Sequence, residues 1–222
     1  MVDVSGARVL AVLTRAPSSG GKSRLFAALA CAPDPALISA LLLDTLDAAH
    51  VAGVQRVVVV APATECDEVA ALVPADVIVI PQAEGDLGQR MRAAMASLLA
   101  GGAAAVAIIG SDVPEVRAAT IASAFDTLAR DPASLVLGPA ADGGYYLIAS
   151  TGLPPVFDGI EWGSARVLEQ TVAAAVGAGL RVSLLDVAAD VDTPADLRRV
   201  AQSGAAPRTA AWTVGMDGRK DG

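Results

Sequence analysis

The sequence predicts an α/β protein whose sheet is mainly parallel and covered by helices on both faces. Short apolar runs recur at 9–13, 57–60, 77–80, 105–109, 135–137 and 182–185. Between them, residues such as Leu37, Leu41, Leu42, Thr45, Leu46 and Ala49 follow helical spacing, so strands alternate with helices. The runs are apolar at successive residues, as strands buried on two faces are, and this points to a parallel sheet between helical layers. Two acidic turns, Gly110-Ser111-Asp112-Val113-Pro114 and the stretch from Gly138 to Leu147 around Asp142, each follow such a run. Ligands of open α/β sheets bind at the carboxyl ends of the strands, so the turns mark a shared cleft.

The punctuation along the chain agrees. Gly53 ends the first long helical segment, Pro62 and Pro81 close strands, and Pro132 separates a helix from the strand at Leu135. Tyr145 and Tyr146 are neighbours in an extended segment and face opposite ways, so one at most is expected to line the cleft. Asp192-Thr193-Pro194 starts the last expected helix, with Asp192 or Thr193 as N-cap and Pro194 at its first position. After Gln202 the periodicity dissolves. Residues 1–203 therefore read as a single domain, and 204–222 as a loosely ordered tail anchored only by Trp212, Val214 and Met216.

Composition narrows the function classes. With 16 basic and 24 acidic residues the net charge is −8, which argues against a nucleic-acid partner, so any phosphate must be met by a few local cations. The mean hydropathy of +0.53 comes from Ala, Val and Leu in short periodic segments, with no apolar stretch of ~18 residues to span a bilayer. Residues 1–8 lack the features of a secretory signal, so no membrane partner and a cytoplasmic location are expected. Cys31 and Cys66 are too far apart to suggest a zinc site or a disulfide framework, and the single histidine, His50, closes a helical segment and receives no role.

Five segments carry side chains suited to chemistry. Thr14 to Leu25 holds adjacent Gly20 and Gly21 with Arg15, Lys22 and Arg24, which suits a phosphate cradle; an exposed glycine turn with a solvated basic face is the alternative. Its Gly21-Lys22-Ser23 matches the end of a Walker A loop, but Ala16 stands where that motif requires glycine. In Pro81 to Met91, Gln82 offers a donor and an acceptor to a base edge, and Gly85 and Gly88 allow a flat ring close to the backbone. A turn followed by a helix capped by Asp86 is the alternative, and from the residues alone it is the favoured one. Asp112 can bind a hard cation or cap the following helix. Asp190 and Asp192 fall on one side of an extended segment, where one can complete a metal shell while the other caps. Asp142 with Gly143 and Gly144 can present backbone N–H groups to an anionic acceptor.

Taken in order and spacing, Gly20–Leu25, Gly85–Met91, Gly110–Pro114, Gly138–Leu147, Glu161-Trp162-Gly163-Ser164 and Asp190–Leu197 resemble one bacterial family. It is the glycosyltransferase-like family similar to 2-phospho-L-lactate guanylyltransferase, within the GT-A nucleotide-diphospho-sugar transferase superfamily. The resemblance covers roughly residues 8–200. It implies a Rossmann-like GT-A fold, a three-layer α/β/α arrangement with a mainly parallel mixed sheet, binding a nucleotide with Mg2+ or Mn2+. Lys22 and Arg24, with Arg15, Gly20 and Gly21, would hold the triphosphate, and Gln82 to Gly88, including Gly85 and Asp86, the base. Asp112 with Asp190 or Asp192 would hold the metal, and Asp142, Gly143, Gly144 and Tyr145 would face the acceptor. Arg15 where relatives often carry Lys, Ser23 in place of Thr, and Gly163 in place of Ser are the departures.

The leading expectation is a metal-dependent nucleotidyltransferase that joins an NTP to a small anionic, phosphate-bearing acceptor and releases pyrophosphate. Lys22, Arg24, Asp112 and Asp142 are its candidate catalytic residues. A glycosyltransferase using a nucleotide sugar, with Asp142 as base, is the alternative, and a nucleotide-binding protein without turnover is the third. The sequence leaves the oligomeric state open, a homodimer included.

Overall fold

The computed structural model of the chain describes residues 2–220. Among them, in chain order, are β1 (Arg8–Arg15), α1 (Ser23–Ala28), α2 (Pro35–Ala48), β2 (Val54–Ala61), α3 (Cys66–Leu72), β3 (Ile78–Pro81), α4 (Leu87–Ala100), β4 (Ala105–Gly110) and α5 (Ala118–Arg130). There follow β5 (Ser134–Pro139), β6 (Tyr145–Ser150), α6 (Val167–Gly177), β7 (Arg181–Leu184), α7 (Pro194–Ser203) and α8 (Pro207–Lys220). The strands form one sheet in the order β3-β2-β1-β4-β6-β5-β7. β6 runs antiparallel to β4 and β5, and the other pairs are parallel, so the sheet is mixed and mainly parallel as expected.

Alternation along the strands fills two layers. Leu10, Val12, Val58, Val60, Ala107 and Ile109 face α2, α3 and α5, where Leu46, Val69, Phe125 and Leu128 are buried with them. Val9, Ala11, Val57, Val59, Val106 and Ile108 face the opposite side, against Met91, Met95 and Leu98 of α4 and Phe157. Truncating one such buried side chain to alanine costs about 2–5 kcal/mol. A third cluster lies beyond the sheet, where Leu25 and Phe26 of α1 and Leu37 and Leu41 of α2 meet Leu197, Val200, Trp212 and Met216.

The chain leaves β1 for β2 and β3 on one side, while β4 lies on the other. The crevice beyond the carboxyl ends of β1 and β4 is therefore the switch point at which such sheets bind ligands. Thr193 is the N-cap of α7 in a capping box with Asp196, and Pro194 is its first residue.

The C-terminal segment requires a correction. Where the sequence leads one to expect a loosely held tail from 204, Pro207–Lys220 is helical and Ala206, Thr209, Trp212 and Met216 are buried. The stop after α7 is a left-handed Gly204, and the cap of α8 comes from Asp44 of α2, whose carboxylate accepts the N–H groups of Arg208 and Thr209 at 3.3 and 2.8 Å. A cap supplied from 164 residues away leaves no local signal. Residues 221–222 of the expected tail lie outside the described residues. No helix among the described residues is long and apolar enough to cross a membrane.

Candidate active site

A cavity of about 590 Å³ opens at the switch point, within the size range of small-molecule sites. β1 delivers one wall. After a short turn at Pro17–Ser19, pinned by hydrogen bonds from the Ser18 N–H and hydroxyl to the Glu68 carboxylate, Gly21 and Lys22 take φ of +144° and +49°. A left-handed lysine costs about 1 kcal/mol or more and persists only where its surroundings fix it. Here the fixing contacts are two carboxylates: Lys22 Nζ donates to Asp112 Oδ2 at 2.6 Å and to Asp192 Oδ1 at 2.5 Å.

Asp112 stands just past the end of β4. Its turn is tied down on three sides: Ser111 N–H donates to the Leu13 carbonyl at 3.0 Å, Thr45 Oγ1 to the Ser111 carbonyl at 3.1 Å, and Val191 N–H to the Asp112 carbonyl at 2.9 Å. The last bond draws the 190–192 loop against β4. Each of Asp112, Asp190 and Asp192 then offers an oxygen within 4.8 Å of the other two.

The electrostatics follow from this crowding. Burial, reinforced by the Asp192 and Asp112 charges, pushes the Asp190 carboxyl up to about 6. Burial also raises Asp192, but the Lys22 hydrogen bond and charge outweigh it and hold that carboxyl below the usual range. For Lys22 itself burial disfavours the ammonium, while Asp112 and Asp192 more than compensate and keep it charged. Three hard oxygen donors converging on one cation-stabilising point are the donor chemistry of Mg2+ or Mn2+, so the residues fit such an ion.

Most of the other residues named from the sequence border the same cavity. Arg15, Gly20, Gly21, Arg24, Gln82, Asp142, Gly144 and Tyr145 line it together with Lys22, Asp112, Asp190 and Asp192. Gln82 follows β3 with its N–H on the Val60 carbonyl at 2.8 Å, is 8% exposed and lines the cavity. Arg15 and Arg24 make no ion pair among the described residues and leave positive charge on the rim.

Gly85, Asp86, Gly88 and Gly143 are not brought to the wall, and each has a local task. Asp86 Oδ1 accepts the Gln89 N–H at 2.8 Å while Gln89 Oε1 accepts the Asp86 N–H at 2.9 Å, a capping box for α4. The Gly85 carbonyl accepts the Arg90 Nε–H at 2.7 Å. A Cβ on Gly88 would lie 2.4 Å from Trp162 Nε1, and one on Gly143 would lie 2.2 Å from the Ala165 carbonyl oxygen, so both glycines permit close approach of the 156–166 segment. Asp142 Oδ1 accepts the Gly144 N–H at 2.9 Å and shapes its own turn.

Two points depart from expectation. Both tyrosines border the cavity, because β6 begins beside an irregular pairing at Gly138 and Pro139. Their side chains still diverge: Tyr145 packs edge-on to Trp162 at 6.4 Å, while the Tyr146 hydroxyl donates to the Asp186 carbonyl at 3.1 Å. Burial holds the Tyr145 phenol above the ordinary tyrosine range, so it acts as a neutral hydroxyl. Leu87, Arg90, Met91, Trp162 and Ser164 also line the cavity and received no individual role from the sequence. Glu161-Trp162-Gly163-Ser164 was visible as a motif, but the use of Trp162 depends on the missing Cβ of Gly88 in a distant helix.

The comparisons with known proteins agree with this architecture. Residues 43–164 match the family described as "Uncharacterized protein conserved in bacteria (DUF2064)", a span that contains Asp112 but neither the Lys22 loop nor the 190–192 loop. A 3-phospho-D-glycerate guanylyltransferase of Phenylobacterium zucineum (strain HLK1) is 34% identical over 207 residues, covering 90% of this chain and 93% of its own length. Among solved structures, a Desulfovibrio desulfuricans G20 protein assigned as a nucleotide-diphospho-sugar transferase superposes with a TM-score of 0.75 at 30% identity, over 85% of this chain and 83% of that one. A nucleotidyl transferase from Methanothermobacter shares the fold at a TM-score of 0.55 and 20% identity, over 88% of this chain and 96% of that one.

Proposed function

The chain belongs to the DUF2064 family of bacterial proteins and is a transferase, and from that premise we propose that it is a metal-dependent nucleotidyltransferase. Its donor is an NTP, its acceptor a small phosphate-bearing anion, and its by-product pyrophosphate. The observation that carries this reading is the meeting of Lys22 with Asp112, Asp190 and Asp192 at the ends of β1 and β4. The kinship with a 3-phospho-D-glycerate guanylyltransferase makes GTP and 3-phospho-D-glycerate the first pair to examine.

In the reaction an acceptor oxygen forms a bond to the α-phosphorus, and the bond from that phosphorus to the β-phosphate bridging oxygen breaks. The electron pair leaves on pyrophosphate. An acceptor that arrives ionised needs no general base, which suits a cavity without histidine. A divalent ion on Asp112, Asp190 and Asp192 would neutralise phosphate charge as the bond changes. Lys22, Arg24 and Arg15 hold and orient the polyphosphate, Gln82 meets the base edge, and the Asp142–Tyr145 turn borders the acceptor. The cytoplasm, where nucleoside triphosphates are plentiful, fits this chemistry.

Pyrophosphate release with each of the four NTPs, paired with 3-phospho-D-glycerate and related phosphorylated acids in Mg2+, tests the reading. Turnover with a phosphorylated acid supports it, and silence across the panel rejects it. The likeness to a nucleotide-diphospho-sugar transferase at 30% identity favours sugar transfer as a second reading. Release of a nucleoside diphosphate from a nucleotide sugar, with no pyrophosphate from any NTP, would select it.

A further inference from the structure

The loop that carries Asp190 and Asp192 lies outside the sheet and is held at several points. Val191 N–H donates to the Asp112 carbonyl at 2.9 Å, and Arg199 Nη2 donates to the Asp190 carbonyl at 3.4 Å. The N–H groups of Asp192 and Thr193 donate to Asp196 Oδ2 at 3.2 and 2.8 Å. Between the two carboxylates the Val191 side chain is fully buried in the third apolar cluster, with Leu37, Leu197, Val200 and Trp212. That cluster also contains Leu25 and Phe26, the first buried residues after Lys22. One small core therefore seats the acidic loop and the basic loop together. α8 closes it through Trp212, which stands edge-on to Phe26 at 6.3 Å and donates its indole N–H to Asp34 Oδ2 at 2.9 Å.

We infer that Val191 is a positioning residue that sets the separation of the three aspartates, and that α8 supports the site through the same cluster. The inference rests on the reading of those aspartates as ligands of a divalent ion. The single Lys22 ammonium faces three carboxylates, which still repel one another, so the backbone that carries them must help set their spacing. Val191 imposes it from both ends: its N–H fixes the loop to the residue bearing the third carboxylate, and its side chain fixes the depth of the loop in the core. Removing two methyl groups opens space into which the loop can sink, carrying Asp190 and Asp192 away from Asp112.

The test is Mn2+ binding to the whole chain, followed by calorimetry and by electron paramagnetic resonance, with and without GTP, alongside thermal unfolding. Val191→Ala is expected to bind Mn2+ about tenfold or more weakly, the usual effect of losing a group that orients a metal ligand. Trp212→Leu, which thins the cluster from α8, is expected to shift affinity in the same direction by a smaller factor. Leu128→Ala, a cavity of comparable kind in the core under α5, should lower the melting temperature yet keep Mn2+ affinity within about twofold, as expected of an independent site. The inference is overturned if Val191→Ala binds Mn2+ like the wild type, or if Leu128→Ala loses as much affinity as Val191→Ala. Should Val191→Ala not fold, Trp212→Leu against Leu128→Ala decides by the same two outcomes. Wild-type protein that takes up no Mn2+ with or without GTP overturns the cation reading and the inference together, whereas wild-type binding matched by Val191→Ala overturns the positioning role alone.

Discussion

Lys22 Nζ lies 2.6 Å from Asp112 Oδ2 while also donating to Asp192 Oδ1, so the ammonium sits among the same oxygens that a divalent ion would take. Two cations cannot share those oxygens at close range. An ion entering the acidic triad would displace Lys22, and the lysine at this end of the sheet would then be free to meet phosphate. Metal and NTP are expected to bind cooperatively for this reason. In Lys22→Ala, Mn2+ affinity measured without nucleotide should rise, because its competitor is gone, while NTP affinity falls by about tenfold, the worth of one charge-assisted hydrogen bond. Calorimetric titration of each ligand in the presence and absence of the other checks both signs. Equal loss of nucleoside and nucleotide affinity would place Lys22 away from the phosphates.

Asp112 accepts the Val191 N–H with its backbone carbonyl, while its carboxylate reaches that loop only through Lys22. Asparagine at 112 keeps that bond and the shape of the turn. Asp112→Asn should therefore abolish metal-dependent nucleotide binding while changing stability by about 1 kcal/mol or less, as is usual for a partly exposed polar substitution. Thermal shifts with an NTP, with and without Mg2+, separate the two effects. A large fall in melting temperature with binding preserved would assign Asp112 to the scaffold.

The sheet was legible because each strand carries its own signal: a run such as Val57–Val60 is apolar at every residue and buried on both faces in the structure. The charged members of the candidate site stand out for a related reason: Asp112 follows the end of β4, Asp190 and Asp192 lead into α7, and Lys22 follows a glycine pair at the start of α1. Asp86 was readable as the cap of the helix that follows, and the structure shows it in a capping box with Gln89. What escaped reading depends on partners far along the chain. α8 is capped by Asp44, Trp162 packs where Gly88 has no Cβ, and Val191 looks like any valine until its cluster is assembled. Local periodicity carries no trace of such pairings.

Gly88 offers a direct probe of the indole wall. Alanine there improves helix propensity by about 1 kcal/mol, yet its Cβ would stand 2.4 to 2.5 Å from three atoms of Trp162. A ring so placed must move as a body, taking with it the edge-on contact to Tyr145. Gly88→Ala is therefore expected to reshape the cavity and weaken NTP binding without a gain in stability. Tryptophan fluorescence in a Trp212→Phe background, where Trp162 is the sole indole, should shift on the substitution and lose its response to nucleotide. An unchanged spectrum would show that the wall yields without cost.

Asp44 tests how far the C-terminal helix matters. Its carboxylate is fully buried, accepts the N–H groups of Arg208 and Thr209, and pairs with the Arg208 guanidinium at 3.1 Å. Asp44→Ala removes every one of these bonds and leaves the Thr209 N–H buried without an acceptor. Arg208 is half-exposed and keeps its pair with Asp47, so the loss is that of the cap and of an acceptor for a buried N–H, about 1–3 kcal/mol. Asp44→Asn keeps one accepting oxygen and should lose markedly less, a contrast that urea denaturation resolves. Because α8 closes the cluster around Val191, the alanine variant is further expected to bind Mn2+ more weakly at temperatures where it is still folded. Stability lost with metal affinity intact would confine α8 to holding the fold.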